Sequence, residues 1–125
     1  MAPNRPRKKG YFAVAKFLRM SPRKIRPIAN HVRKKPYTEA LGILDMLPHK
    51  GARLIKKVVR SAAANALYHN ENLDEEMLYI RTLEIDDGPR MKRVWPRGRG
   101  RADRLQKRLC HISVELDEIS AAKKG

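Results

Sequence analysis

The sequence predicts an α+β fold in which three helices pack on one face of a small three-stranded antiparallel sheet, and a long β-hairpin arm protrudes from that sheet. Three observations lead there. Apolar periodicity along the chain changes in the order strand, helix, helix, helix, strand, strand. The stretch between the last two strands has no sustained period but carries turn residues at its middle. Positive charge is concentrated in two separate segments, one of them that same stretch.

Tyr11–Arg19 is rich in β-branched and aromatic residues and reads as a short strand. Ser21-Pro22 starts the first helix, with a hydroxyl at the N-cap and proline at the first helical position. Ile25, Ile28, Ala29 and Val32 then form one apolar stripe, and Pro27 should kink the helix by removing a hydrogen bond to Arg23. A second helix fits Thr38–Leu47, with Ala40, Leu41, Leu44 and Leu47 inward and Pro48 ending it. The third runs from Lys50 to about His69. Ile55, Val58, Val59, Ala62, Ala63 and Ala66 repeat on one side of it, and small residues from Ser61 onward allow close approach of another element. Strands follow around Leu78–Asp86 and Leu109–Leu116.

Residues 88–109 have little to bury. Pro96-Arg97-Gly98-Arg99-Gly100 is turn chemistry, with eight residues of the stretch before it and nine after. The flanking strands can therefore continue outward as a hairpin arm over residues 86–110, with its tip near Arg97–Gly100. Eight to ten residues would carry that tip roughly 25–35 Å from the domain. A two-stranded ribbon is only marginally stable alone in water. Its seven Arg and two Lys should hold it loosely until phosphates surround it.

The chain has 125 residues, the length of one domain, and a formal net charge of +16. Residues 1–35 hold 12 basic and no acidic residues, and residues 88–109 hold nine basic and one acidic. The segment between them is slightly acidic. One-sign poles of this kind fit a polyanionic partner better than a solvated face. The expected organisation is a basic extension over residues 1–10, one RNA-binding α+β domain over 11–119 and a short flexible tail over 120–125. The single cysteine, Cys110, excludes an internal disulfide, no apolar run approaches the length of a membrane span, and no secretory signal is apparent. A cytoplasmic protein is expected.

Nothing points to catalysis, a metal or a cofactor. His31, His49, His69 and His111 are scattered. His111 faces away from Cys110 on a strand, and Asp86-Asp87 reads as a turn former. Trp95 could stack on a nucleobase or make a cross-strand contact on the arm. An architectural DNA-binding protein with β-arms is the main alternative, but nothing marks the dimer interface such proteins use. A membrane-surface protein would need a basic amphipathic helix with bulky aromatic anchors.

Several strings occur in order from about residue 13 to 116: Ser21-Pro22-Arg23-Lys24, Glu39-Ala40-Leu41 with Ile43-Leu44, and Ser61-Ala62 with Ala64-Asn65-Ala66. After them come Asp86 and Gly88-Pro89, Met91-Lys92-Arg93, Pro96-Arg97, Gly100-Arg101-Ala102-Asp103, Lys107-Arg108 and His111-Ile112. On these residues the chain resembles the L-twenty-two family of bacterial large-subunit ribosomal proteins.

That resemblance implies a structural, non-enzymatic component of the large ribosomal subunit that binds 23S rRNA across several of its domains and acts early in assembly. The globular domain would sit near the mouth of the peptide exit tunnel. The implied rRNA contacts are Arg19, Ser21, Arg23, Lys24, Arg26, Lys92, Arg93, Arg97, Arg99, Arg101, Arg104, Lys107, Arg108 and His111. Met91, Lys92, Arg93, Val94, Trp95, Pro96, Arg97, Gly98, Arg99 and Gly100 would form the tip lining the tunnel. Neighbouring ribosomal proteins, including the other tunnel-constriction protein, and the nascent polypeptide are the implied partners, with no homo-oligomer. Cys110 stands where the family often has Ser, which suggests a small buried residue.

Overall fold

In a computed structural model, residues 11–96 and 98–119 are described. The elements run β1 (Tyr11–Leu18), α1 (Pro22–Val32), α2 (Tyr37–Met46), α3 (Lys50–His69), a 3-10 turn at Glu75–Met77, β2 (Leu78–Pro96) and β3 (Ala102–Glu118). The sheet is antiparallel throughout, as the sequence predicts, and its strand order is β1-β3-β2. The two terminal segments, 1–10 and 120–125, lie outside the described residues.

One face of the sheet is buried by the helices. Cys110, Ile112, Val114 and Leu116 of β3 alternate with outward residues, and Ile80, Leu83 and Ile85 of β2 join them from the side. From the other layer come the apolar stripe of α1 and Ile55, Val58, Val59, Ala62, Ala63 and Ala66 of α3. The small residues of α3 let its backbone approach β1 and β3 closely. Gly51 serves the same purpose against α1, since a Cβ there would lie 3.0 Å from Ile28 Cδ1.

α1 runs unbroken from Pro22 to Val32, with Pro27 on its exposed side. Three details differ from expectation. Ser21 occupies the N-cap position, but its hydroxyl makes no cap bond; its carbonyl accepts from Lys24 N–H at 3.1 Å. Tyr37, not Thr38, opens α2 and is buried beside Ala40 and Leu44. Burial raises the Tyr37 phenol above its usual pKa, with the charge of Glu75 adding to the effect and Arg60 opposing it. Asp86 and Asp87 form no turn; they pair with His111 and Cys110 in the ladder.

Past Asp87 the same ladder leaves the core. Gly88 and Pro89 stand opposite the single residue Leu109, a β-bulge at the base of the arm. Gly88 has no room for a side chain, since a Cβ would meet the Leu109 carbonyl at 3.0 Å. Seven pairs follow, from Arg90–Arg108 to Pro96–Ala102, about 23 Å at the usual rise per residue. The turn that closes them holds Arg99 and Gly100 in the left-handed region, at φ 63° and 72°. None of the described arm residues beyond Leu109 belongs to the core.

Stability should therefore reside in the sheet–helix layer. Ile112→Ala is expected to cost about 2–5 kcal/mol in a denaturant titration. Val94→Ala on the exposed arm should change stability by no more than about 0.5 kcal/mol. Equal losses would show that the arm folds as part of the core.

Candidate nucleic-acid interface

The first basic segment and the arm are distant in sequence, and the fold joins them. The link is α1 packed on β2. Arg26 reaches from α1 to the base of the arm, where its Nη2 donates to Ile85 O at 3.3 Å and lies 3.6 Å from Asp87 Oδ1. Arg33, one helical end further on, donates from Nε and Nη2 to Leu83 O at 3.0 and 2.8 Å. Next along the chain, Lys34 N–H donates to Ile80 O and Ile80 N–H donates to Lys35 O. The outer edge of β2 is thus closed by backbone and then by two guanidinium groups, which satisfy carbonyls that an edge strand would otherwise expose.

These contacts separate the predicted site residues into groups. Arg19, Arg23 and Lys24 are exposed around the start of α1, and Ser21 sits half-buried at its N-cap. Arg26 is also exposed, but part of its hydrogen-bonding capacity goes to β2, so its role is structural as well. On the arm, Lys92, Arg93, Lys107 and Arg108 are exposed along the two strands, and Arg99 and Arg101 are exposed at the turn. Arg93 donates to the carbonyl of neighbouring Lys92, and Arg90 donates to Gln106 Oε1 across the ladder. Arg97 lies outside the described residues, as do the side chains of Trp95 and Arg104. Of the residues assigned to the tip, Met91 stands instead near the arm's base, paired with Lys107 and half-buried, whereas Val94, Pro96, Gly98 and Gly100 are exposed nearer the turn.

His111 stands at the base of the arm, paired with Asp86, on the sheet face opposite the helices. Its Nδ1 accepts a hydrogen bond from Phe17 N–H at 3.0 Å. The neutral ring then carries its proton on Nε2, which is left as a donor. Cys110 beside it is fully buried, and burial pushes its thiol pKa up.

Charge pairing is uneven. Every ion pair among the described residues lies in the globular part: Arg26–Asp87, Lys35–Glu39, Lys56–Asp45, and Arg81 with Glu115 and Asp117. The arm cations Lys92, Arg93, Lys107 and Arg108 have no acidic partner among the described residues. Unpaired, exposed cations on a narrow ribbon are suited to phosphates approaching from several sides. Sequence reasoning missed Arg33 and Arg81, whose carbonyl and carboxylate partners are far away along the chain. No local pattern marks such residues as structural.

The model of the family described as ribosomal protein L22p/L17e matches residues 13–117. A large ribosomal subunit protein uL22 from Treponema denticola is 58% identical over 109 residues, covering 87% of this chain and 92% of that protein. The uL22 protein of Borrelia recurrentis is 56% identical over 110 residues, 88% of this chain and 92% of the relative. That of Treponema pallidum is 55% identical over 115 residues, with 92% and 93% covered.

Two outcomes follow from this geometry. Arg33→Ala should lower stability by about 1–3 kcal/mol by leaving Leu83 O unpaired. Arg23→Ala should leave the thermal midpoint unchanged. For Cys110, iodoacetamide should label the thiol slowly in the native protein at neutral pH and rapidly after unfolding; fast native labelling would mean that the β3 core opens readily.

Proposed function

The chain belongs to the ribosomal protein L22p/L17e family, and from that membership we propose how it works as a structural, non-catalytic constituent of the large ribosomal subunit in the bacterial cytoplasm. Residues 11–119 act as the RNA-binding unit, with 1–10 and 120–125 as extensions. The globular part binds 23S rRNA at the subunit surface near the exit-tunnel mouth, through Arg19, Ser21, Arg23, Lys24 and part of Arg26. The arm threads inward between rRNA domains, held by Lys92, Arg93, Arg97, Arg99, Arg101, Arg104, Lys107 and Arg108, with His111 at its base. Residues 91–100 face the tunnel and the nascent chain, next to the other protein that narrows it. Contact with several rRNA domains suits a protein that joins early in assembly.

The observation that carries this reading is the arm itself. It is a continuation of a core ladder, about 23 Å long, with Lys92, Arg93, Val94, Lys107 and Arg108 exposed and its described cations without acidic partners among the described residues. A ribbon of this kind gains nothing in free solution, where its charges repel. Surrounded by phosphates, it becomes a rigid strut.

Binding to 23S rRNA should be steep in salt. Six to ten phosphate contacts would lose roughly 10³–10⁵ in affinity between 50 and 200 mM salt. In fractionated lysate the protein should cosediment with the large subunit in near-stoichiometric amount. A salt-insensitive isotherm, or recovery mainly with chromosomal DNA, would overturn the proposal.

A further inference from the structure

Along β1 the buried and exposed residues alternate as a half-buried strand requires: Ala13 faces the core, Phe12 and Val14 face out. Continued without interruption, that alternation would point Phe17 inward with Ala13 and Ala15, and Leu18 outward. The structure reverses both. Between the pairs Ala15–Ile112 and Leu18–Cys110, the two residues Lys16 and Phe17 stand opposite the single residue His111. This bulge turns Leu18 onto the core and leaves the Phe17 ring 59% exposed on the outer sheet face.

The reversal has a conformational cost. Phe17 adopts φ +59°, in the left-handed region that residues with a side chain avoid. Burying the larger ring and exposing the smaller aliphatic chain would have been the ordinary choice for a strand facing a core. Instead the backbone is held in place by Phe17 N–H donating to His111 Nδ1, and the two rings meet edge to face with centroids 5.1 Å apart. A strained conformation that serves to expose an aromatic ring calls for something that uses the ring.

The surroundings identify what that is. Lys16 and Arg19 flank Phe17 in sequence, both exposed and without an acidic partner among the described residues. Leu18 pairs with Cys110, and Arg108 lies two residues before Cys110 in β3, opposite Arg90, where the arm begins. Phe17 therefore sits on the outer face at the junction of the two basic segments. An exposed aromatic face among cations is the arrangement that holds an unpaired nucleobase, the ring stacking while the cations take the adjoining phosphates.

We propose that Phe17, braced by His111, is a base-stacking platform that docks an unpaired 23S rRNA nucleotide at the root of the arm. The assignment rests on the RNA-binding reading above and adds to it a contact that charge does not supply.

The test compares full-length wild type with Phe17→Leu, Phe17→Gly and Phe17→Trp. Each is titrated against protein-free 23S rRNA and against an uninterrupted RNA duplex over a range of salt. Leu keeps an apolar side chain without a π face, Gly relieves the left-handed backbone and so guards against misfolding, and Trp restores the platform. Thermal melts verify each fold. The Leu and Gly variants should lose roughly 5- to 100-fold in affinity for 23S rRNA with an unchanged salt slope, and Trp should bind like wild type. Duplex affinity, which offers no unpaired base, should be the same for all four. Wild-type affinity in the Leu and Gly variants, or equal losses on the duplex, would overturn the stacking assignment alone. Normal rRNA affinity with poor incorporation into the subunit would indicate a protein neighbour at Phe17 and also overturn it. If the wild type itself binds 23S rRNA without salt dependence, the RNA-binding reading falls, and this one with it.

Discussion

The ladder between β2 and β3 is the interaction on which the rest of this molecule depends, because it belongs to two environments at once. From Leu78–Glu118 to Asp87–Cys110 its inner face is covered by helices, and the side chains there fix which residues pair. A slip by one residue would turn Ile112, Val114 and Leu116 toward solvent, so the register is strongly specified. From Arg90–Arg108 outward no described side chain is buried, so the core-facing pattern that specifies register stops there. The arm inherits its register and direction from the core, through a bulge where Gly88 clears the backbone of Leu109. A ribbon this long and this charged would not choose its own pairing in water.

Besides covering the sheet, the helices secure the strand that leads into the arm. β2 is an edge strand, and its outer carbonyls at Leu83 and Ile85 are taken by Arg33 and Arg26. Closing that edge removes a site for unwanted strand pairing and holds the base of the arm against α1. Arginine suits this task because its planar fork can meet a carbonyl with two donors, as Arg33 does, while its charge remains near the surface.

Charge in this protein therefore has two uses that a count of Lys and Arg does not separate. Arg26, Arg33 and Arg81 are engaged with the protein's own carbonyls and carboxylates. Arg23, Lys24, Lys92, Arg93, Lys107 and Arg108 have no acidic partner among the described residues, and their mutual repulsion suits a polyanionic partner. His111 shows the same division within one side chain, with Nδ1 committed to Phe17 and Nε2 left over.

Much of the architecture was legible in the linear pattern. The α+β class, the three helices, the arm and the bipolar charge each rest on near-neighbour chemistry: apolar period, turn residues between two strands, and runs of one sign. These act over a few residues, so composition and spacing suffice to determine them. What only the tertiary structure decided depends on partners far apart in the chain. Arg33 is structural because Leu83 O, fifty residues on, happens to face it. Pro27 is tolerated inside α1 because its ring falls on the solvent side. Phe17 faces out and Leu18 in because a bulge against His111 shifts the strand by one residue, and nothing in the alternation of β1 itself announces that shift. Local periodicity names the face a side chain would take in a regular element; where the register breaks, long-range pairing decides the face instead.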